Sequence, residues 1–338
     1  MNNQTESPLK TLLFIAITLA MCVLFSVFSL TSSASMIFSI CFERTESDKL
    51  LAGDTEWTGD GELVAQRQTA ADKGRAALEA LVLSEGRYSA DTASSLFIKA
   101  PADLTYKYYS QGADKAVILL HGYNRTEDFS LMYVPYWVEK GYDVIIPQLR
   151  CHDGAAGVTT LGFYEQYDLC DLMRQVKSDV GTDSFVLHGQ GMGAVSALLL
   201  SGNEEHLAQL EEDCEISLIV AESAYTTMAE MIEHQLLRQF EMKGFHYVWS
   251  MRIVIDQTLG ILCSEADTPA AAAKSDIPTL FVSGSEDTFV PAEMTQTIYN
   301  SCAAEKDILT VPGAHFGSVW TDAMESGSYT AAIDAMLN

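Results

Sequence analysis

The sequence predicts an α/β fold, in which a mostly parallel central sheet is flanked by helices, interrupted by a helical cap insertion and preceded by a transmembrane helix. Three observations predict it. Short apolar runs alternate with helical stretches over most of the 338 residues, as expected for parallel strands buried on both faces. A mostly helical stretch, about 226–274, breaks this alternation, and an uncharged apolar run lies near the N-terminus. We therefore expect a membrane anchor over residues 1–43, a linker and helix over 44–90, and the α/β domain over 91–338.

The N-terminal run contains no charged residue between Lys10 and Glu43. Its core, Thr11 to Leu30, is long enough to cross a bilayer as a helix. A cleaved signal peptide is the alternative, since small residues permit cleavage after Ala34. Because the apolar character continues through Phe42, we interpret the run as an uncleaved anchor. We expect the soluble domain to be extracytoplasmic, or secreted if the segment is cleaved.

The later elements are predicted from apolar periodicity. Residues 62–86 are rich in helix formers and carry an apolar stripe, which predicts a helix. Strands are predicted over residues 95–100, 103–110, 116–121, 142–148, 184–188, 217–223, 279–284 and 308–313. Helices are predicted over residues 129–140, 162–180, 192–200, 292–301 and 320–337. The insertion at 226–274 is too long for a simple crossover, and it either caps a cleft or packs as ordinary helices against the sheet edge.

The composition limits the class of partner. The chain has 46 acidic and 20 basic residues and a formal net charge of -26. Binding to nucleic acid requires a basic surface, so we expect no nucleic acid partner. The seven cysteines contain no C-x-x-C pair, which argues against a metal site and a disulfide framework. We expect most of them to be buried as small apolar side chains, although one pair could bridge in an oxidising compartment.

The stretch SFVLHGQGMGAVSALLL, Ser184 to Leu200, reads as strand, sharp turn and helix. In the pattern G-x-S-x-G, a turn of this kind presents a nucleophilic serine. The centre of the pattern is here Gly191, which has no side chain. The N–H of Met192 opens the helix, where the helix dipole favours it as a donor to a developing oxyanion.

Three further pieces each follow a predicted strand. In HGYN, the backbone N–H of Tyr123 is a second candidate oxyanion donor. In SGSEDTFVP, Asp287 is the carboxylate best placed to orient an imidazole. In VPGAHFGS, His315 lies in the loop after the last strand. The chain order of turn, acid and histidine is the order that hydrolases with this strand arrangement require.

With these motifs the sequence resembles the membrane-anchored or secreted bacterial α/β-hydrolases, near the serine-aminopeptidase and esterase-like group. The resemblance runs from about Leu104 to Asn338 and includes ILLHGYN, YDVIIPQLRCHDG, VLHGQGMGA, IVAESAYT, FVSGSEDTFVP and GAHF. It implies the α/β-hydrolase fold, hydrolysis of carboxylic esters or amides, and a small-molecule or peptide substrate with an acyl group. It implies no metal and no organic cofactor, and membrane association only through the N-terminal helix.

The resemblance also assigns roles to individual residues. Gly191 occupies the position of the nucleophile, Asp287 that of the acid and His315 that of the base. Tyr123 and Met192 would supply the oxyanion N–H groups.

The chain departs from that group at two places. The family usually reads L-R-G-H-G where this chain reads LRCHDG, with Cys151 and Asp153. The second departure is Gly191, because acyl transfer by a triad needs an oxygen or sulfur nucleophile. Losing that nucleophile removes on the order of six decades of rate. Glycine would however relieve the positive φ that such a turn imposes.

Several interpretations stay open. The chain is a hydrolase disabled at Gly191, or a pseudo-hydrolase that binds an acyl ligand or a protein partner. Rescue by Ser196, Ser223, Cys151 or a water activated by His315 is a further option.

A remote alternative from another class is dinucleotide binding, because GQGMGA also fits G-x-G-x-x-A, with Glu222 able to reach a ribose. That fingerprint normally opens its domain, whereas here a strand–helix alternation precedes it.

Overall fold

The computed structural model describes residues 17–21, 24, 26–29, 32–38, 61–89, 103–155, 157–211, 214–241, 245–313 and 324–337. Within these residues the strands form one sheet in the order β1-β2-β4-β3-β5-β6-β7-β8. The strands are β1 (Val82–Ser89), β2 (Asp103–Ser110), β3 (Lys115–Leu120), β4 (Asp143–Pro147), β5 (Ser184–Gln190), β6 (Glu215–Glu222), β7 (Thr279–Gly284) and β8 (Lys306–Val311). Strands β3 to β8 pair in parallel, and β1 and β2 add antiparallel at one side.

Helices cover both faces of this sheet, as predicted. They are α1 (Ile17–Phe38), α2 (Gly61–Glu79), α3 (Val134–Glu139), α4 (Glu165–Val180), α5 (Met192–Ser201), α6 (Glu204–Glu211), α7 (Met228–Phe240), α8 (Phe245–Leu259), α9 (Thr268–Ala272), α10 (Ala292–Ser301), α11 (Met324–Ser326) and α12 (Ser328–Met336). Buried side chains of α2, α3 and α12 form one core with the sheet, and those of α4, α5, α7, α8 and α10 form the other.

The unbroken apolar runs of the sequence follow from this layering. Every residue of β4 and of β7 is buried. Along β3, Val117 and Leu119 enter one core, whereas Ala116, Ile118 and Leu120 enter the other. Since alternate side chains of a strand point to opposite faces, both faces must be apolar when both are covered.

The structure corrects one prediction near the N-terminal side of the sheet. The helix predicted over 62–86 ends at Glu79, and Val82–Ser89 is instead a strand, paired with β2 along its whole length. The strand predicted over 95–100 lies outside the described residues. Helix α6 is present although no helix was predicted there.

The N-terminal apolar helix α1 is, within the described part of the chain, the one helix long and apolar enough to cross a membrane, with 22 residues and a mean hydropathy of 1.8. Most of it is exposed, and Phe28 is 69% exposed. At its end, Ala34, Ile37 and Phe38 are buried in the same core as α4 and α5. Length and composition fit either a membrane anchor or a signal sequence.

The cysteines behave as small apolar side chains. All five cysteines in the described ranges beyond α1 are buried and none is in a disulfide: Cys151, Cys170, Cys214, Cys263 and Cys302. Cys22 and Cys41 lie outside the described residues.

Candidate active site

The predicted sharp turn lies between β5 and α5. Gly191 adopts φ 50° and ψ -110°, a conformation that costs a residue with a Cβ roughly 1–3 kcal/mol. Its N–H donates to the carbonyl oxygen of Glu222 at 2.8 Å, and its own carbonyl oxygen accepts from the Val195 N–H at 2.9 Å. The predicted sharp turn is therefore present, and its central residue has positive φ and no side chain.

Two flanking glycines let the helix start very close to the sheet. A Cβ added at Gly189 would lie 2.4 Å from the carbonyl carbon of Gly193. A Cβ added at Gly193 would lie 2.4 Å from the carbonyl oxygen of Leu120, the last residue of β3. The N-terminus of α5 is thus pressed against the end of β3, next to the loop that carries Tyr123.

The first turn of α5 is suited to donate to an anion. Met192 is its first residue, and the first four N–H groups of an α-helix have no acceptor within the helix. Every residue of α5 is buried, so its dipole acts in a medium of low polarity. The Met192 side chain points into the core, where its sulfur lies 3.2 Å from the Thr159 hydroxyl oxygen. Its role as an oxyanion donor stays a prediction.

The loop after β3 is fixed by a histidine from a neighbouring loop. The Asn124 N–H donates to His152 Nε2 at 3.0 Å, and the other ring nitrogen, Nδ1, lies 2.8 Å from the Arg150 carbonyl oxygen. Since Nε2 accepts, the ring proton lies on Nδ1 and His152 is neutral. The Asn124 N–H is therefore engaged, and the role of the Tyr123 N–H as an oxyanion donor stays a prediction.

The unusual loop LRCHDG keeps the backbone shape expected of two glycines. Cys151 and Asp153 both have positive φ, at 61° and 50°, the region that glycine adopts without strain. These are the positions where the resembling family has glycine. A buried bidentate pair between Arg150 and Asp168, at 2.6 and 2.5 Å, ties the loop to α4. The two positions thus keep positive φ although neither is glycine.

Asp287 lies just after β7 and is held by three donors. Its Oδ1 accepts the N–H groups of Phe289 and Val290 at 2.9 and 2.8 Å, and its Oδ2 accepts the Ser223 hydroxyl at 3.2 Å. Ser223 follows Glu222, whose carbonyl oxygen binds the Gly191 N–H. The end of β6 therefore links the turn to the carboxylate.

The helical insertion contacts the loop that carries the acid. In α7, His234 Nε2 lies 2.8 Å from the Thr288 carbonyl oxygen, and Gln235 Nε2 donates to the Phe289 carbonyl oxygen at 2.8 Å. These contacts place α7 beside the acid loop, at the end of the sheet that carries Gly191.

His315 lies outside the described residues. The chain that enters its loop runs beside the acid loop, because the Ser285 and Glu286 N–H groups donate to the carbonyl oxygens of Val311 and Gly313, each at 2.8 Å. The assignment of His315 as the base stays a prediction.

The other nucleophile candidates are buried and engaged elsewhere. The Ser196 hydroxyl donates to the Met192 carbonyl oxygen within α5, and the Ser223 hydroxyl donates to Asp287. The contact between Ser223 and Asp287 was not predicted from the sequence. The signal available in the sequence was that Ser223 and Asp287 each follow a strand, and that these two strands are neighbours.

The dinucleotide alternative requires Glu222 at a ribose. Glu222 is fully buried, and its carboxylate oxygen Oε2 accepts from the hydroxyls of Tyr133 and Tyr329. This placement excludes that role for Glu222 in the described conformation. Within the described ranges there is also no group of three or more His, Cys, Asp or Glu residues that could hold a metal ion.

Comparison with known proteins shows what this chain is similar to. The sequence pattern of the serine hydrolase family FSH1 matches residues 181–317, a range that includes Gly191, Asp287 and His315. The uncharacterised protein YqkD of Bacillus subtilis (strain 168) is 26% identical over 189 residues, which are 54% of this chain and 58% of that protein. The chain thus spans somewhat over half the length of this curated relative.

Solved structures with similar folds include esterases. The esterase Pf2001 of Pyrococcus furiosus superposes with a TM-score of 0.57 at 17% identity, covering 77% of this chain and 93% of its own. The acetyl xylan esterase of Paenibacillus sp. R4 gives 0.53 at 14% identity, covering 78% and 92%. Est1E of Butyrivibrio proteoclasticus gives 0.51 at 14% identity, covering 74% and 98%.

The closeness of α5 to β3 can be tested at Gly193. We expect Gly193→Ala to lower the free energy of unfolding by more than the roughly 1–3 kcal/mol that overpacking usually costs, because the added methyl meets immobile backbone rather than a flexible side chain. The control is Gly112→Ala, where the methyl would meet nothing within 4 Å and only positive φ opposes it, at a cost of about 1–2 kcal/mol. Urea denaturation measures both. A Gly193→Ala variant as stable as the control would contradict the tight contact.

Proposed function

We propose that this α/β-hydrolase-fold protein binds an acyl-bearing small molecule or peptide in an ester-hydrolase site that lacks its nucleophile at Gly191. The observation that carries the proposal is the conformation of Gly191, φ 50° and ψ -110°, at the start of a buried helix. The fixed carboxylate of Asp287 supports it, as do the match to a serine hydrolase family and the fold shared with esterases.

The chemistry follows from which groups are retained. In an acyl transfer, a hydroxyl at position 191 would attack the carbonyl carbon while His315 takes its proton and Asp287 stabilises the imidazolium. The N–H groups of Tyr123 and Met192 would stabilise the oxyanion. Without the hydroxyl no acyl-enzyme can form, and the retained groups bind and polarise the carbonyl. The loss in turnover is on the order of six decades.

Restoring the hydroxyl tests the hydrolytic scaffold. We expect Gly191→Ser to gain turnover of short p-nitrophenyl esters, blocked by phenylmethylsulfonyl fluoride, because the turn already has the required backbone conformation. The rate of p-nitrophenolate release measures it.

Three variants serve as controls for that assay. Gly191→Ala carries a comparable backbone strain without a hydroxyl, and we expect it to stay inactive. Adding Asp287→Asn or His315→Ala to Gly191→Ser should remove most of the gained rate. A folded but inert Gly191→Ser variant, or one indifferent to both second changes, would contradict the proposal.

The unaltered chain should retain the binding step. We expect fatty acids of graded length, or peptides, to raise its melting temperature, since a ligand at about 100 times its Kd stabilises by about 2.7 kcal/mol. A bulky change at the turn, Gly191→Leu, should abolish the shift by filling the space where a nucleophile would stand. Silence across the whole panel would oppose the binding role.

We further propose that α1 anchors the protein in a membrane with the soluble domain extracytoplasmic. The exposed apolar surface over most of α1 supports this, as does the burial of Ala34 beside the core, which makes cleavage there disruptive. Carbonate-washed membranes should retain the protein, and protease added outside intact cells should digest the domain. Release of a shortened soluble form would favour a signal peptide instead.

A further inference from the structure

A cluster of buried polar side chains lies beneath the Gly191 turn, and the proposed acyl chemistry gives it no role. Each member is at most 2% exposed: Tyr133, Trp137, His188, Gln190, Glu222 and Tyr329. The central residue is Glu222, whose carbonyl oxygen holds the Gly191 N–H.

The first arm of the cluster begins at Trp137. Its indole Nε1–H donates to His188 Nδ1 at 3.0 Å, and since an indole can only donate, the proton of His188 is on Nε2. Burial lowers the pKa of His188 to about 3, so the ring is neutral. His188 Nε2 then donates to the Tyr329 hydroxyl oxygen at 2.8 Å. Tyr329 must therefore direct its own proton to Glu222 Oε2, at 3.2 Å.

The second arm begins at Gln190, the residue before Gly191. Its Nε2 donates to the Tyr133 hydroxyl oxygen at 2.8 Å, and Tyr133 donates to Glu222 Oε2. Oε2 of Glu222 thus receives two donors. Oε1 of Glu222 and Oε1 of Gln190 are buried, and among the described residues neither has a hydrogen-bond partner.

This hydrogen-bond arrangement is one donor hydrogen short. Gln190 and Glu222 are paired neighbours in β5 and β6, so the two acceptors without donors belong to adjacent side chains. Exchanging the amide oxygen and nitrogen of Gln190 does not remove the deficit. The Tyr133 hydroxyl, with its single proton, would then face two acceptors, the Gln190 amide oxygen and Glu222 Oε2. A proton on the Glu222 carboxyl supplies the missing donor.

We propose that Glu222 is a positioning residue, held as a neutral carboxylic acid that donates to Gln190 and so joins the strand ends beneath the turn to α12. Helix α12 follows the loop that contains His315, and Tyr329 is the member of the cluster on that helix. Ionisation of Glu222 would leave a buried negative charge facing the Gln190 carbonyl, next to Gly191. We expect the turn at Gly191 to be well ordered only while Glu222 keeps its proton.

The groups that face Glu222 favour the neutral form. Burial raises the pKa of Glu222 to about 7, against the hydrogen bonds that it accepts from Tyr133 and Tyr329, and the negative charge of Asp287 adds to the rise. In the described structure, the elements packed against Glu222 present titratable or polar groups to it, and none of these groups is cationic. They are Tyr133, His188, Gln190, Asp287 and Tyr329.

A second buried carboxyl in the same chain shows the contrasting arrangement. Glu165, also 2% exposed, accepts four hydrogen bonds on its two oxygens, from the hydroxyls of Thr159 and Thr160 and the N–H groups of Thr160 and Gly162. Two donors on each oxygen suit a carboxylate. Glu165→Gln is therefore the matched control for Glu222→Gln.

The protonation of Glu222 has a spectroscopic test that requires no activity. In infrared difference spectra of the full chain, we expect a protonated-carboxyl carbonyl band that is lost with a midpoint near pH 7. We expect Glu222→Gln to lack this band and Glu165→Gln to keep it. A band with a midpoint near pH 7 that survives in Glu222→Gln, or a wild-type chain without a band at about pH 5.5, would overturn the proposal.

The same proton makes stability depend on pH. Because the pKa of Glu222 is higher in the folded state than in the unfolded chain, the folded state binds more protons between the ordinary glutamate range and about pH 7. Stability contributed by this proton is present at low pH and is lost as pH rises through that window. The denaturation midpoint of Glu222→Gln should lack this fall, and an unchanged fall would count against Glu222.

The positioning role is tested by activity, and this arm rests on the proposed function. Turnover by Gly191→Ser should fall about tenfold per pH unit above neutrality, and Gly191→Ser with Glu222→Gln should not show that fall. An identical alkaline fall in both would refute the positioning role. If Gly191→Ser is inert, the proposed function fails while the spectroscopic and stability tests still decide the protonation of Glu222.

Discussion

The close approach of α5 to the ends of β3 and β5 is the constraint on which the site depends. Only a residue without a Cβ fits at Gly189 and Gly193, where an added atom would lie 2.4 Å from backbone. This approach bends the chain at Gly191 and sets the N-terminus of a wholly buried helix against the end of β3. Because the bend is set by packing on either side of residue 191, the geometry persists although position 191 carries no side chain.

Two carboxyl groups at neighbouring strand ends have opposite surroundings. Asp287 accepts two backbone N–H groups on one oxygen and the Ser223 hydroxyl on the other. Glu222 has two phenolic donors on one oxygen and none, among the described residues, on the other. Environments that separate the protonation states of adjacent acids let one carry charge while the other carries a proton. The contrast arises from partners, since both groups are buried.

Most of the sheet could be predicted from the sequence because buried parallel strands leave apolar runs that hardly depend on distant partners. Val82 and Leu83 were misassigned to a helix, since their apolar character continued a helical stripe and the pairing with β2 is not visible locally. The turn at Gly191 and the acid at Asp287 carry local signals. The cluster around Glu222 does not, because Tyr329 lies 107 residues away in sequence. Contacts between residues so far apart in the sequence form only once the sheet is assembled.

Strand β1 forms one margin of the sheet and pairs, among the described strands, with β2 alone. Its outward backbone groups can accept another extended chain, and Val82 and Leu83 are 72% and 49% exposed. Glu85 and Arg87 interrupt the apolar character of this margin, and charged residues on an edge discourage self-association through added strands. In a protein with a net charge of -26, mutual repulsion between copies adds to that protection. Neutralising Glu85 would weaken this protection against pairing of two copies through their β1 strands.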